Sequence, residues 1–430
     1  MSKLWANLRY CVRFTLLALA VVILVQRSDM KPGGLPERVG AFTREFEFHH
    51  ESWMMNALQV KAGQVGLGAA DYLSDEQQHT IVLDTINLVA TVQQRTWELE
   101  QIFTDPNIVN PEEQSTALRA ELNHLYEQHA RIAPLAESIL QNQVNATVSA
   151  LGLSFGGQLI PPVLFHSTPL PFNLVVSPRN VIQKEVGISL ATDMTIDQQS
   201  ALEEQIDQAL DVSSLVVPIG GLGTYPTMVA QSSHLPWLIG AIAHEWTHNY
   251  LSLRPLGASY SVSPELRIIN ETTASLAEKE IADVLMARFY PELVPDQVLD
   301  TEDDTVVSDL DDEPPPFDFR AEMHETRLKV DRMLAEGQIE KAESYMEERR
   351  QFFWDNGYAI RKLNQAYFAF YGQYADEEGG ARGAAGSDED YIGSVIRTMR
   401  TQSQTLAHFL NRLSWMWSFD QVENSVISNP

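Results

Sequence analysis

The chain carries two hydrophobic rhythms, and the change from one to the other divides it. Between residues 42 and 64 the apolar positions Phe46, Phe48, Trp53, Met54, Leu58 and Val60 predict a helix. A longer helix is predicted over 75–103, with Ser74 placed to cap it, and Thr104-Asp105-Pro106-Asn107 then turns the chain. Pro111 opens another long helix reaching residue 150. These two read as a helical hairpin that projects or packs. From residue 158 the rhythm shortens. Runs at 159–165, 174–176, 186–191 and 215–219 read as strands of a small mixed sheet, interrupted by a helix at 196–210. Pro218 and Pro226 make the last strands edge-like, and Gly220-Gly221-Leu222-Gly223 is the bend between them. An edge strand there can take up an extended peptide by strand addition.

Helical spacing returns at 235–251, LPWLIGAIAHEWTHNYL, which starts with Pro236 in its first turn. A second helix follows over 264–290, with Ser263 as cap and Pro264 at its first position. An acidic run at 300–313 ends in three prolines and reads as a solvated linker. Helices are then predicted over 319–335, 339–354 and 359–374, a Gly/Ala-rich loop over 377–387, and a final helix over 388–417. That last one is spaced by Ile392, Ile396, Met399, Leu406, Phe409, Leu410 and Leu413. No internal repeat is visible. The fold class expected is α+β, mainly α, with a small mixed sheet beside the 235–251 helix. The expected divisions are a terminal segment (1–26), a linker (27–40), a helical region (41–157), a core (158–299), the acidic linker (300–318) and a C-terminal helical region (319–430).

Charge and termini narrow the partners. A net charge of −28 argues against nucleic acid and against anionic membrane surfaces. Cys11 is the only cysteine, so stability must come from packing and not from disulfides. Lys3, Arg9 and Arg13 precede an apolar run at 14–25, and no small-x-small cleavage site follows it. This predicts a single N-terminal membrane anchor with the body outside; secretion after signal cleavage is the alternative.

The chemistry is concentrated at His244-Glu245-Trp246-Thr247-His248. Histidines four apart share one helix face and can bind a single Zn²⁺, while Glu245 projects beside them as a general base. Hydrolysis by such an ion needs a third protein ligand and an open fourth position. A histidine six residues beyond the second is excluded, because Arg254 stands there and Leu251 stands where a glycine would be needed. The other source is a carboxylate on the following helix. Glu271 lies about two turns in, with the small Ala274 one turn later; Glu278 and Glu280 are nearby alternatives that read as solvated surface acids. Tyr260, in the loop at 254–262, is placed to donate to an oxyanion.

The pair formed by His244-Glu245-x-x-His248 and Asn270-Glu271-Thr272-Thr273-Ala274 resembles the two linked motifs of the gluzincin zinc metallopeptidases, over about residues 236–285. The resemblance implies that His244, His248 and Glu271 bind one zinc and that Glu245 is the general base. Further on, Leu363-Asn364-Gln365-Ala366 with Tyr371 and Tyr374 is similar to a segment of bacterial proteins described as predicted aminopeptidases. That likeness implies C-terminal helices closing over the cleft, with Asn364, Tyr367 or Tyr371 facing substrate. Oxyanion candidates are then Tyr260, Tyr371 and His324. Characterised aminopeptidases of the clan hold the substrate amine with a Glu in a G-x-M-E-N stretch. Residues 220–231 contain no acid, so exopeptidase and endopeptidase both stand open. The expected function is a membrane-anchored zinc peptidase acting on peptides or proteins, with the hairpin a potential partner-binding element. The rival is a non-catalytic, membrane-anchored helical scaffold with a structural or relict metal site.

Overall fold

A computed structural model describes residues 33–104, 108, 110–294 and 317–428. The expected terminal anchor at 1–26 and the acidic run at 300–313 lie outside these. Among the described residues no helix is long and apolar enough to cross a membrane.

Folding starts earlier than the linker reading allowed. Helix α1 (Leu35–Thr43) begins on Pro36 and buries Val39 and Thr43. The helix expected at 42–64 is instead broken before α2 (His50–Leu67). Phe46 and Phe48 are spaced for a strand, and here Phe48 donates its N–H to Ser189 O while Ala191 donates to Phe46 O. Helix α3 (Asp75–Thr104) starts on a reciprocal cap: Gln77 N donates to Ser74 Oγ and Ser74 N to Gln77 Oε1. After a short turn at Pro111–Gln114, α4 (Thr116–Ala150) packs along α3 as the expected hairpin. The hairpin is not free. Buried Glu137 on α4 accepts from Lys61 of α2 at 2.8 Å and from the Ser167 N–H at 2.9 Å, and contacts the His166 ring at 3.0 Å.

The mixed sheet resolves into two three-stranded sheets. One contains β1 (Phe165–Ser167), β5 (Gly221–Leu222) and β6 (Thr227–Val229) in the order β1-β6-β5; β1 runs parallel to β6, and β5 antiparallel to it. The other is antiparallel, with β2 (Phe172–Pro178) between β3 (Val186–Leu190) and β4 (Val212–Pro218). Helix α5 (Ile196–Leu210) joins β3 to β4 and starts on a Thr195–Gln198 capping box. Residues 159–164 form no strand because Pro161 and Pro162 have no N–H for a ladder. Side chains satisfy this stretch instead: Trp246 Nε1 donates to Pro161 O at 2.9 Å, and Val163 N donates to Asn145 Oδ1 at 2.9 Å.

Helices α6 (Leu235–Ser252) and α7 (Pro264–Phe289) pack against each other at the centre. The apolar residues of α6 extend nearly all round it, so it is buried rather than laid on a surface. Ile239, Ile242, Trp246, Tyr250 and Leu251 share a core with residues of α3, α4 and α7. Ser263 caps α7 by accepting from Leu266 N.

The C-terminal region contains α8 (Phe319–Ala335), α9 (Ile339–Asp355) and α10 (Gln365–Tyr371), followed by a loop. Helices α11 (Ser387–Thr401), α12 (Leu406–Ser414) and α13 (Phe419–Ile427) complete it. The helix expected at 359–374 shrinks to α10 because Asn364 caps it. The expected 388–417 helix is interrupted: Thr405 caps α12, and Ser418 caps α13. Its apolar spacing misled because Met399, Leu406, Phe409, Leu410 and Leu413 enter one core across the break.

Candidate metal centre

Helix α6 stacks His244 above His248, one turn apart, with ring centroids 4.9 Å from each other. Small residues let α7 approach. Ala274 and Ala277 are fully buried, and a Cβ on Gly240 would lie 2.7 Å from Glu278 Oε1. The approach puts Glu271 Oε2 3.3 Å from both His244 Nε2 and His248 Nε2, which are themselves 3.2 Å apart. His244, His248 and Glu271 together could hold a metal ion.

The surroundings orient each group. His244 Nδ1 lies 3.0 Å from Glu278 Oε2. If a metal were bound, His244 would be neutral, and with its Nδ1–H donated to Glu278 its Nε2 lone pair would be directed toward Glu271 and His248. Glu278 is therefore not the solvated acid its sequence context suggested: it sits seven residues after Glu271 on the same helix face and fixes a ligand ring. Glu280, by contrast, pairs with Arg400 and stays out of the cluster. The second oxygen of Glu271 accepts from the Tyr260 hydroxyl. Three acceptor atoms converging at these distances repel one another unless protons or a cation lie between them.

The electrostatics follow from this crowding. Burial works against charge on His244, but its bonds to Glu271 and Glu278 outweigh burial and hold the ring well above its ordinary pKa. Burial likewise opposes charge on Glu271, and His248 and His244 reverse the effect, holding it well below the usual carboxylate range. Glu245 is raised, by burial first, with both histidines opposing. Burial and the nearby Glu271 push Tyr260 up.

Glu245 is wedged between its own helix and β5. A Cβ on Gly221 would collide with its carboxylate, and one on Gly223 would lie 3.3 Å from Oε2. Among the described residues nothing donates a hydrogen bond to Glu245. Gly221→Ala is therefore expected to displace Glu245 and to destabilise the fold by about 1–3 kcal/mol, measured by denaturant unfolding.

The other candidates separate. Tyr260 is at the centre, bonded to Glu271. Asn364 is not: its side chain accepts from Tyr367 N and donates to Ser214 O at 2.9 Å, a cap and a tie to β4. Tyr371 lies among Tyr367, Phe370 and the Arg382 guanidinium, 4.6 Å over its ring. Tyr367 is buried beside it. His324 Nδ1 meets Ala385 O at 3.1 Å, held in the C-terminal region. The residue that does reach the site is Tyr374, just past α10. Its ring lies 6.1 Å from that of His244. Burial raises its pKa well above normal, with Glu271, Tyr260 and Glu245 adding to the effect. Among the described residues its hydroxyl has no hydrogen-bond partner. Tyr374 was visible in the sequence only as part of the segment following Leu363, with no spacing to single it out.

No protein-family model, curated protein or solved structure matches the chain.

Proposed function

We propose that the chain is a zinc-dependent peptidase. His244, His248 and Glu271 hold one zinc ion, and Glu245 is the general base. The observation that carries this reading is the ligand triangle. Its sides are 3.2 and 3.3 Å, and nitrogen and oxygen ligands about 2.0–2.1 Å from a tetrahedral ion sit about 3.3–3.4 Å apart. The triangle leaves a fourth position to substrate or water. A structural site usually closes that position with protein, which counts against a scaffold with a relict metal. The order of the two motifs supports a gluzincin relationship.

When bound, zinc supplies Lewis acidity to a peptide carbonyl and to a water. The remaining work belongs to side chains. Glu245 takes the proton of the attacking water and delivers it to the leaving amine. Glu278 holds the His244 ring, and Tyr260 holds Glu271, so the ligands are preorganised. The Tyr374 hydroxyl, which has no hydrogen-bond partner among the described residues, donates to the developing oxyanion. Strand β5 has one edge paired to β6, and an extended peptide added to its other edge would run beside Glu245. Residues 1–26 anchor the body to a membrane with the centre outside; nucleic acid is not a partner.

Tyr374→Phe should lower kcat on the order of 100-fold with zinc content unchanged, read by steady-state kinetics beside metal analysis. The activity itself is tested on a mixed peptide library with fragments identified by mass spectrometry. Cleavage is expected, and it should stop with a chelator and return with zinc. An intact library in the presence of bound zinc would refute the reading.

A further inference from the structure

Two cations near the centre have no acidic partner among the described residues. Arg267 lies in the early part of α7, one turn before Glu271 on the same face, and Lys184 lies in the turn between β2 and β3. Arg267 Nη1 donates to the Lys184 carbonyl at 3.3 Å, so the two are neighbours. Contacts lead from them to the metal ligands by two routes. The Arg267 guanidinium lies 5.9 Å from the Tyr260 ring, whose hydroxyl is bonded to Glu271. Lys184 Nζ lies 5.9 Å from the Phe370 ring; Phe370 is 6.1 Å from Tyr374, and Tyr374 is 6.1 Å from His244. The pair is therefore linked through these rings to the residues around the metal ligands.

The arrangement is costly as it stands. Acidic residues outnumber basic ones 58 to 30, and the most deeply buried cations are neutralised, Lys61 by Glu137 and Arg327 by Asp331 and Glu389. Among the described residues no carboxylate pairs with Lys184 or Arg267. Burial and the Arg267 charge lower the Lys184 amine to about 8, with only Glu271 opposing. Glu271 is already committed to two histidines and Tyr260. Arg267 also sits near the positive end of its helix, where a cation is disfavoured. An anion from outside would relieve the repulsion between these two half-buried like charges.

We propose that Lys184 and Arg267 form a carboxylate-binding subsite at the edge of the metal centre, which holds a carboxylate of the peptide substrate. This rests on the peptidase reading and specifies it. The substrate is gripped by a negative group, consistent with the absence of any acid in residues 220–231 to grip an amine. A guanidinium with N–H donors to spare and a nearby ammonium suit a carboxylate through charge-assisted hydrogen bonds. The carboxylate is either the peptide's C-terminus or an Asp or Glu side chain.

The test uses the full chain carrying Glu245→Gln, loaded with zinc, so that peptides bind without being cut. Affinity selection is run on one peptide library made with free C-termini or amidated, each version with and without Asp and Glu. Peptides bearing the right carboxylate should be enriched on the order of tenfold or more. Adding Lys184→Met should bring that enrichment close to one, and Lys184→Arg should keep it. If Lys184→Met does not fold, Arg267→Gln carries the same expectation. Preference for free C-termini identifies the terminal carboxylate as the source, and preference for Asp or Glu identifies the side chain. Equal capture of all four versions, or a preference that survives Lys184→Met, overturns the subsite. Failure of the parent reading looks different: wild type would cut nothing while the Glu245→Gln protein still selected carboxylates.

Discussion

Glu245→Gln should reduce kcat for peptide hydrolysis on the order of 10³-fold and leave zinc binding intact. The asymmetry follows from where the carboxylate sits. Glu245 is one residue beyond His244 on α6, yet the ligand cluster does not include it. It points instead into the space left by Gly221 and Gly223. Glutamine has the same shape, so packing against β5 is kept and the ligands do not move. What the proposed mechanism would lose is a base that can accept a proton from water and return it to the leaving amine. A positioned general acid–base contributes about 10²–10⁴-fold. Steady-state kinetics on any peptide the wild type cleaves, with metal analysis of the same preparation, reads both halves. Retention of full activity would remove Glu245 from the mechanism. Loss of zinc would mean it supports the ligands instead.

Glu271→Ala has the opposite signature: metal and activity are lost together. One Glu271 oxygen closes the triangle with the histidines, and the other accepts from Tyr260. Removing it leaves two imidazoles and deprives the Tyr260 hydroxyl of its acceptor. Losing a group that merely orients a ligand costs about 10–100-fold in metal affinity, so losing a ligand should cost more than 100-fold. Competition against a chromogenic chelator measures this directly. The fold should suffer less than the site. Burial opposes the Glu271 charge, and alanine removes that opposition along with the favourable bonds.

The site was legible in sequence to the extent that helix geometry alone defines it. His244 and His248 are four apart on one helix, and Pro236 and the Ser263 cap with Pro264 mark where the two helices begin. The same logic extended further than it was taken: Glu278 is two turns beyond Glu271 on one face, and periodicity placed it beside the ligands. Tyr374 could not be found that way. It arrives from about a hundred residues downstream, brought in by packing of the C-terminal region, and no local pattern encodes that approach. Asn364 misled because an N-cap and a substrate-binding amide look alike in sequence. The two-sheet division was hidden because β5 is a two-residue strand, Gly221–Leu222. Its register is set by pairing with β6, not by any alternation of its own. The broken 388–417 helix shows the converse: two helices sharing one core keep the apolar phase of a single helix.

The most direct measurement is zinc per chain in three proteins purified side by side: wild type, Glu271→Ala and Glu245→Gln. One zinc is expected in wild type, essentially none in Glu271→Ala, and one in Glu245→Gln. A wild type that binds no zinc, or a Glu271→Ala protein that keeps it, would contradict the proposed centre.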